Sequence, residues 1–120
     1  FIFTIGKRYQ AQSSDTVKAP RHIPLYHYKD YDDFFQHVPY SCPVIAVELA
    51  DNSVPLEAFV HPERCIYLLG AEDNGIPESI LTRCQNTVQL IGEICYNVST
   101  AGSIVMYDRA VKRIWKGAGK

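Results

Sequence analysis

The stretch YLLGAEDNGIPESI, residues 67–80, joins an apolar segment to a helical pattern through an acidic loop. The apolar run Ile66–Leu69 predicts a buried strand. Gly70 begins a polar loop, and Gly75 and Pro77 precede residues that favour a helix. A strand, a glycine-flanked loop and a helix in succession are typical of α/β proteins, which bind ligands at the loops that follow their strands.

The rest of the chain repeats this alternation. Strands are predicted at 1–5, 25–28, 44–47, 65–69 and 87–90, and helices at 30–37, 77–83 and 97–115. Asp30 is the predicted N-cap of the first helix, because acidic residues follow it in the first turn. The continuous apolar run Val44–Val47 is typical of a strand that is covered on both faces. The sequence therefore predicts an α/β fold with a mainly parallel sheet flanked by helices.

The length and charge of the chain narrow the class of protein. Its 120 residues fit one domain, and a net charge of −1 with 47% hydrophobic residues excludes a disordered chain. Residues 1–29 and 81–120 are mainly basic, whereas residues 30–80 are mainly acidic. One basic surface that binds phosphates is one interpretation of this pattern, and from charge alone two ordinary solvated surfaces are favoured over it.

The cysteines indicate a reducing compartment. Cys42, Cys65, Cys84 and Cys95 are widely spaced and form no C-x-x-C pair, so free buried thiols in the cytoplasm are predicted. Zinc binding with the four histidines is an alternative without the usual ligand spacing, and no metal is predicted. No apolar run is long enough to span a bilayer, so no membrane partner is expected.

Three common interpretations of the acidic loop fail. A hairpin turn at Asn74 and Gly75 would lead into a strand, but a proline and a helical pattern follow. A calcium loop centred on Gly75 would place Leu81 at its last ligand position. A phosphate loop needs more glycines and a lysine. The acidic side chains suit a ligand that carries hydroxyl groups or positive charge.

Two motifs carry a resemblance to a known family. LLGAEDNGIP, and CYNVSTAGSIVMYDR about twenty residues later, resemble motifs 2 and 3 of the SpoU-type RNA methyltransferases of the SPOUT superfamily. The first corresponds to the family's L-G-x-E-x-x-G loop, and the second to its S-L-N-V-S segment. The resemblance extends from the first predicted strand to the last predicted helix and is strongest over residues 65–109.

The resemblance implies a fold and an activity. It implies a trefoil knot, in which the chain from about Thr87 threads through a loop of earlier residues. It also implies S-adenosylmethionine bound mainly through backbone groups, and methyl transfer to a ribose 2′-oxygen of tRNA or rRNA. Residues 1–120 would then form one methyltransferase domain.

Site residues are carried over where the motifs match. The expected cofactor-binding residues are Leu69, Gly70, Leu90, Ile91, Gly92 and Tyr96. The expected catalytic residues are Asn97 and Glu72. Gly70 is expected to leave room for the cofactor beside the backbone. Cys95 replaces the usual serine of motif 3, and the segment between Leu90 and Asn97 is about two residues shorter than the family pattern and lacks its proline.

The family also implies a homodimer. Its members pair through their last helices, and the last predicted helix of this chain is apolar nearly all round. Its side chains Val98, Ala101, Ile104 and Val105, extended by Trp115, are expected to face a partner subunit.

The family's motif 1 has no match in the chain. It comprises an asparagine and an arginine on a helix before the first strand, whereas Arg8 and Arg21 follow that strand. The sequence is therefore expected to lack an upstream segment and to be inactive as given. A SPOUT enzyme that methylates a base nitrogen, a knotted module that only binds RNA or dimerises, and an unrelated α/β nucleotide-binding protein are the alternatives.

Overall fold

The computed structural model describes residues 1–6, 23–70, 75–91 and 98–118, and their side chains as far as residue 114. The chain divides into two compact units, Phe1–Tyr40 and Ser41–Lys120. No helix among the described residues combines the length and the apolar character needed to cross a membrane.

The predicted strands and helices appear in the predicted order, together with one further strand and a short 3-10 helix that were not predicted. The strands are β1 (Ile2–Ile5), β2 (Leu25–Tyr28), β3 (Val44–Val47), β4 (Val54–Pro55), β5 (Ile66–Leu69) and β6 (Asn86–Gln89). The α-helices are α1 (Tyr31–Gln36), α2 (Glu78–Leu81) and α3 (Val98–Ala118), and a short 3-10 helix covers Leu56–Ala58. The predicted α/β class is confirmed, although α2 is shorter than the prediction because Pro77 precedes it and its last turn ends at Thr82.

The first unit is a parallel pair of strands with a short helix. β1 pairs with β2, and Phe34 of α1 is buried, with its ring stacked on Phe3 at a centroid distance of 4.7 Å. Asp30 caps α1 as predicted, because its Oδ1 accepts a hydrogen bond of 2.8 Å from the Asp33 N–H. The cap and the aromatic stack together hold the helix on the strand pair.

The second unit contains a four-stranded sheet in the order β4-β6-β3-β5, and all of its strand pairs are parallel. β3 lies inside the sheet, and Val44, Ile45 and Ala46 are buried, which confirms the prediction that both faces of this strand are covered. Pro55 lies in the edge strand β4, where the missing N–H of proline is tolerated. The parallel sheet is thus confirmed, but the described strands form two sheets.

The helix α3 packs on this sheet through a face that the sequence assigns to a partner subunit. Val105 is only 1% exposed and belongs to a core cluster with Ile45 and Val88. Ala101 is also buried, and Ile104 packs partly against the cluster. The prediction that Ala101 and Val105 face a second subunit is therefore wrong, because burial against their own sheet removes these side chains from the surface.

The predicted knot depends on how the chain passes from β6 to α3. Residues 92–97, which make this connection, lie outside the described residues. The threading stays a prediction.

Candidate functional site

The carboxyl ends of three neighbouring strands meet at one edge of the four-stranded sheet, here called the carboxyl edge. Val47 at the end of β3 is level with Leu69 of β5 and with Val88 of β6. The residues that follow β5 and β6 consequently lie at the same edge. Four predicted cofactor residues are at this edge: Leu69, Gly70, Leu90 and Ile91. Four further predicted residues lie outside the described residues: Glu72, Gly92, Tyr96 and Asn97.

Gly70 lies against the returning backbone of the acidic loop. A Cβ atom at position 70 would be 2.6 Å from the carbonyl carbon of Gly75 and 2.7 Å from the nitrogen of Ile76. The sequence predicts that the glycine leaves space for a ligand, but this space is filled by the chain's own backbone. The role of Gly70 in binding the cofactor stays a prediction, and its packing on Gly75 is a sufficient reason for glycine.

Gly75 needs to be glycine for two reasons. Its φ of +65° lies in the left-handed region, which favours glycine. A Cβ at this position would also lie 2.5 Å from an oxygen of the Glu48 carboxylate.

Glu48 is a residue of the carboxyl edge that the sequence does not single out. It follows β3 directly, and its Oε2 accepts a hydrogen bond of 2.8 Å from the Ile76 N–H. Glu48 follows the doubly covered strand β3 just as Gly70 follows β5. This position is the signal in the sequence that would have identified Glu48 as a site residue.

The carboxyl edge carries apolar residues at the ends of two of its strands. Leu69 is half-buried, and its Cδ2 would be 3.7 Å from a Cβ at Gly102 of α3. Leu90 is half-buried against the core cluster, whereas Ile91 is 69% exposed. Apolar side chains flanking a strand end, together with backbone groups, are typical of nucleoside-binding sites.

Away from the carboxyl edge, a polar network joins α3 to β5 and to the connection between β4 and β5. The ring of His61 connects Tyr67 and Asp108, since Nδ1 is 2.6 Å from the Tyr67 hydroxyl and Nε2 is 2.7 Å from Asp108 Oδ2. The carboxylate can only accept, so Nε2 carries the proton in this arrangement. With neutral His61, the Tyr67 hydroxyl then donates to Nδ1.

Two cations of α3 complete this network by binding backbone carbonyls. Arg109 donates to the carbonyl oxygens of Pro62 at 2.7 Å and Glu63 at 2.6 Å. Lys112 donates to the carbonyl oxygens of Leu56 at 2.7 Å and Phe59 at 2.8 Å. Four carbonyl groups of the connection between β4 and β5 are thus satisfied by one helix, which fixes the position of that helix along the sheet.

The titration behaviour of the network follows from its contacts. Burial, which alone would raise the pKa of Asp108, is outweighed by hydrogen bonds from Lys112 and His61, so this pKa lies below its usual value. Burial, with a hydrogen bond to Cys65, raises the pKa of Tyr67 to about 12 although Arg109 opposes the shift. Tyr67 is therefore protonated at neutral pH and able to donate to His61.

A surface cavity of about 620 Å³ lies beside this network, between residues 57–63 and α3. Three cations line it, and two of them, Arg109 and Lys112, already donate to backbone carbonyls. Within the described ranges, no group of three or more His, Cys, Asp or Glu side chains is placed to hold a metal ion.

Comparison with known proteins identifies the family of the chain. The model of the SpoU rRNA Methylase family matches residues 5–107. The chain belongs to this family. The predicted membership of the SpoU methylases is confirmed, and with it the methyltransferase class and S-adenosylmethionine as the methyl donor. No curated protein matches the sequence significantly.

Two solved structures share the SpoU methylase fold of the chain. One, which concerns the 2-OH methylation of C/U34 on tRNA, has a TM-score of 0.73 at 20% identity over 90% of this chain and 75% of that chain. The other, an AdoMet-bound rRNA methyltransferase from Sinorhizobium meliloti, has a TM-score of 0.73 at 20% identity over 90% of this chain. This chain spans 44% of the length of the Sinorhizobium protein. At this identity the likeness establishes the fold.

Proposed function

We propose that this protein transfers the methyl group of S-adenosylmethionine to a ribose 2′-hydroxyl of tRNA or rRNA. The observation that carries the proposal is the family match over residues 5–107, which includes all three strands of the carboxyl edge. The activities described for the two structural neighbours, on tRNA and on rRNA, support this substrate class. A base nitrogen as the methyl acceptor is the alternative that the experiment below distinguishes.

The cofactor is proposed to bind at the carboxyl edge. Leu69 and Leu90 would flank the adenosine, and the exposed side chain of Ile91 would cover it. Gly70 would contribute backbone contacts, and Gly92 and Tyr96 are proposed as further cofactor residues from the motif match alone.

S-adenosylmethionine supplies an electrophilic methyl group on a positively charged sulfur. A ribose hydroxyl is a weak nucleophile, so the protein has to orient its oxygen towards that methyl group and accept its proton. We propose Asn97, which directly precedes α3, for the orientation of the reacting groups, and Glu72 as a second catalytic residue.

Cofactor binding and product identity test the proposal separately. Isothermal titration of the purified chain with S-adenosylmethionine is expected to give one site per chain. In cells that lack the intact gene, tRNA or rRNA is expected to lose a single methylated nucleoside, which mass spectrometry of digested RNA detects. Loss of a methyl group from the ribose fragment supports the proposal, whereas loss from the base fragment favours the base nitrogen. Unchanged nucleosides contradict it, and so does a chain that binds no S-adenosylmethionine.

We propose that the protein forms a homodimer through the outer face of α3. Met106, Tyr107 and Ile114 are 55%, 73% and 69% exposed, and Ala110 between them is also exposed. Spacings of three and four residues place these side chains on one side of the helix, opposite to the buried Val105. An apolar stripe on a small domain suits the isologous contact of a two-fold dimer.

Replacing Tyr107 by glutamate is expected to weaken this dimer at least tenfold. The charge would be buried at the contact without a partner, at a cost of about 1.5 kcal/mol or more. Sedimentation equilibrium measures the dissociation constant. Gln36→Glu, which adds the same charge to an exposed position of α1, is the control and is expected to leave the dimer unchanged. A wild-type protein that is monomeric at micromolar concentration would contradict the proposed interface.

A cytoplasmic location is also proposed. Its support is the RNA substrate class and the free state of Cys42, Cys65 and Cys84. Burial raises the pKa of the Cys84 thiol, which keeps this group protonated and unreactive.

A further inference from the structure

Glu48 occupies the centre of the carboxyl edge with both carboxylate oxygens in use. Oε2 accepts the 2.8 Å hydrogen bond from the Ile76 N–H, and Oε1 accepts a longer one of 3.2 Å from the Leu49 N–H. The backbone of Glu48 is itself fixed, because its N–H donates to the carbonyl of Val88 in β6 at 3.0 Å. The carboxylate thus connects the end of β3 to the start of the segment that leads into α2.

The backbones of Gly70 and Gly75 pack closely together beside the Glu48 carboxylate. The backbone of Gly70 is so near to Gly75 and Ile76 that a Cβ at position 70 would lie within 2.8 Å of three of their atoms. The carboxylate of Glu48 lies against Gly75 in turn. Three backbone segments therefore meet near one charged side chain, and the backbone leaves no space for a methyl group at position 70.

We infer that Glu48 is a positioning residue for S-adenosylmethionine, acting through the backbone of Gly75 and Ile76. This inference rests on the proposed function, because it places the cofactor at the carboxyl edge. A cofactor held mainly by backbone groups binds tightly only if those groups are ordered before it arrives. The hydrogen bond from the Ile76 N–H to the Glu48 side chain ties this backbone to the end of β3.

The arrangement requires a carboxylate of this length. Two backbone donors need two acceptor oxygens, and a glutamine offers one oxygen and an NH₂ group that would face an N–H. The Glu48→Gln variant keeps the shape of the side chain while it loses one of the two hydrogen bonds. The Glu48→Ala variant loses both and leaves the Ile76 N–H without its acceptor.

Titration calorimetry with S-adenosylmethionine tests the inference on the purified chain. We expect Glu48→Gln to raise the dissociation constant by roughly tenfold, and Glu48→Ala to raise it further. Asp51→Asn is the control, because it removes a carboxylate from an exposed position between β3 and β4, where Glu48 also lies. This variant is expected to bind S-adenosylmethionine like the wild type. Because Glu48→Gln is isosteric, it is expected to fold even if the alanine variant does not.

Amide hydrogen exchange supplies a readout that does not depend on the cofactor. Loss of the hydrogen bond between Glu48 and the Ile76 N–H is expected to speed the exchange of the Ile76 amide about tenfold or more. The exchange of the Ile45 amide in the core strand is expected to stay unchanged. A general loss of stability would speed both. Wild-type affinity in the Glu48→Gln and Glu48→Ala variants, or unchanged exchange at Ile76, would overturn the inference and leave the proposed function intact. A wild-type chain that binds no S-adenosylmethionine overturns the proposed function, and the inference with it.

Discussion

The Gly70→Ala variant is expected to lose about 2–3 kcal/mol of unfolding free energy and most of its affinity for S-adenosylmethionine. The added methyl group would lie 2.6 to 2.8 Å from backbone atoms of Gly75 and Ile76, which cannot rotate away as a side chain would. The loop ends would separate, and Glu48 would lose its alignment with the Ile76 N–H. Thermal unfolding, expected to shift by roughly 10 °C, and calorimetric titration measure the two effects.

Gly102→Ala is the matched control for this substitution. A Cβ at position 102 meets Leu69 at 3.7 Å, an ordinary contact, and the residue lies inside α3. Alanine is expected to stabilise the helix there by about 0.5–1 kcal/mol. A Gly70→Ala protein that melts and binds like the wild type would show that the contact with Gly75 is not tight in solution.

The Asp108→Ala variant is expected to lose about 2–3 kcal/mol of unfolding free energy. His61, whose side chain is 4% exposed, would keep a buried Nε2–H without an acceptor, and Lys112 would lose its ion pair of 2.8 Å. Urea unfolding at neutral pH measures the loss. Asp108→Asn is the control, because its amide oxygen can still accept from His61 while the charge is absent, and its loss is expected to be about half as large. Equal stability of the alanine variant and the wild type would contradict a stabilising role of the network.

The difference in unfolding free energy between the wild type and Asp108→Asn is expected to depend on pH. The pKa of Asp108 is lower in the folded chain than its usual value of 3.8, so its contribution to stability is fully present above that value. The contribution falls as the pH drops through 3.8 towards the folded pKa. The difference in unfolding free energy between the wild type and Asp108→Asn is therefore expected to be constant above about pH 5 and to narrow below it. A difference that widens in acid would have the wrong sign.

The elements of the fold are predictable because their signals act over a few residues. The apolar run of β3, the cap at Asp30 and the positive φ of Gly75 are all visible in short segments of sequence. The order of the strands is different in kind, because β3 pairs with residues about 20 and 40 positions away. No local pattern encodes that choice, so the separation into two sheets emerges only from the structure.

The candidate site is predictable in its position and less so in its contacts. The motif residues Leu69, Gly70 and Leu90 lie together at the carboxyl edge, and short segments of sequence single them out. The contact of Glu48 with Ile76 joins residues 28 positions apart and is not visible in such a segment. The bond between His61 and Asp108 spans 47 positions.

The outer face of α3 illustrates a further limit of sequence patterns. The helix is apolar nearly all round, so its period does not determine which side packs on the sheet. The sequence assigns Val105 to a partner subunit, and the structure buries it in the core.

The central place of β3 in its sheet determines how the chain behaves while it is being made. Both neighbours of this strand, β5 and β6, come later in the sequence. At about 5–20 residues per second, the ribosome needs roughly 2–8 s to add the 40 or so residues that separate the end of β3 from the end of β6. During that interval an entirely apolar strand has no completed sheet to enter, and α3, whose Val105 shares a core cluster with Ile45 of this strand, has not yet been synthesised. The nascent chain is therefore exposed to aggregation and to chaperones until β6 has been synthesised.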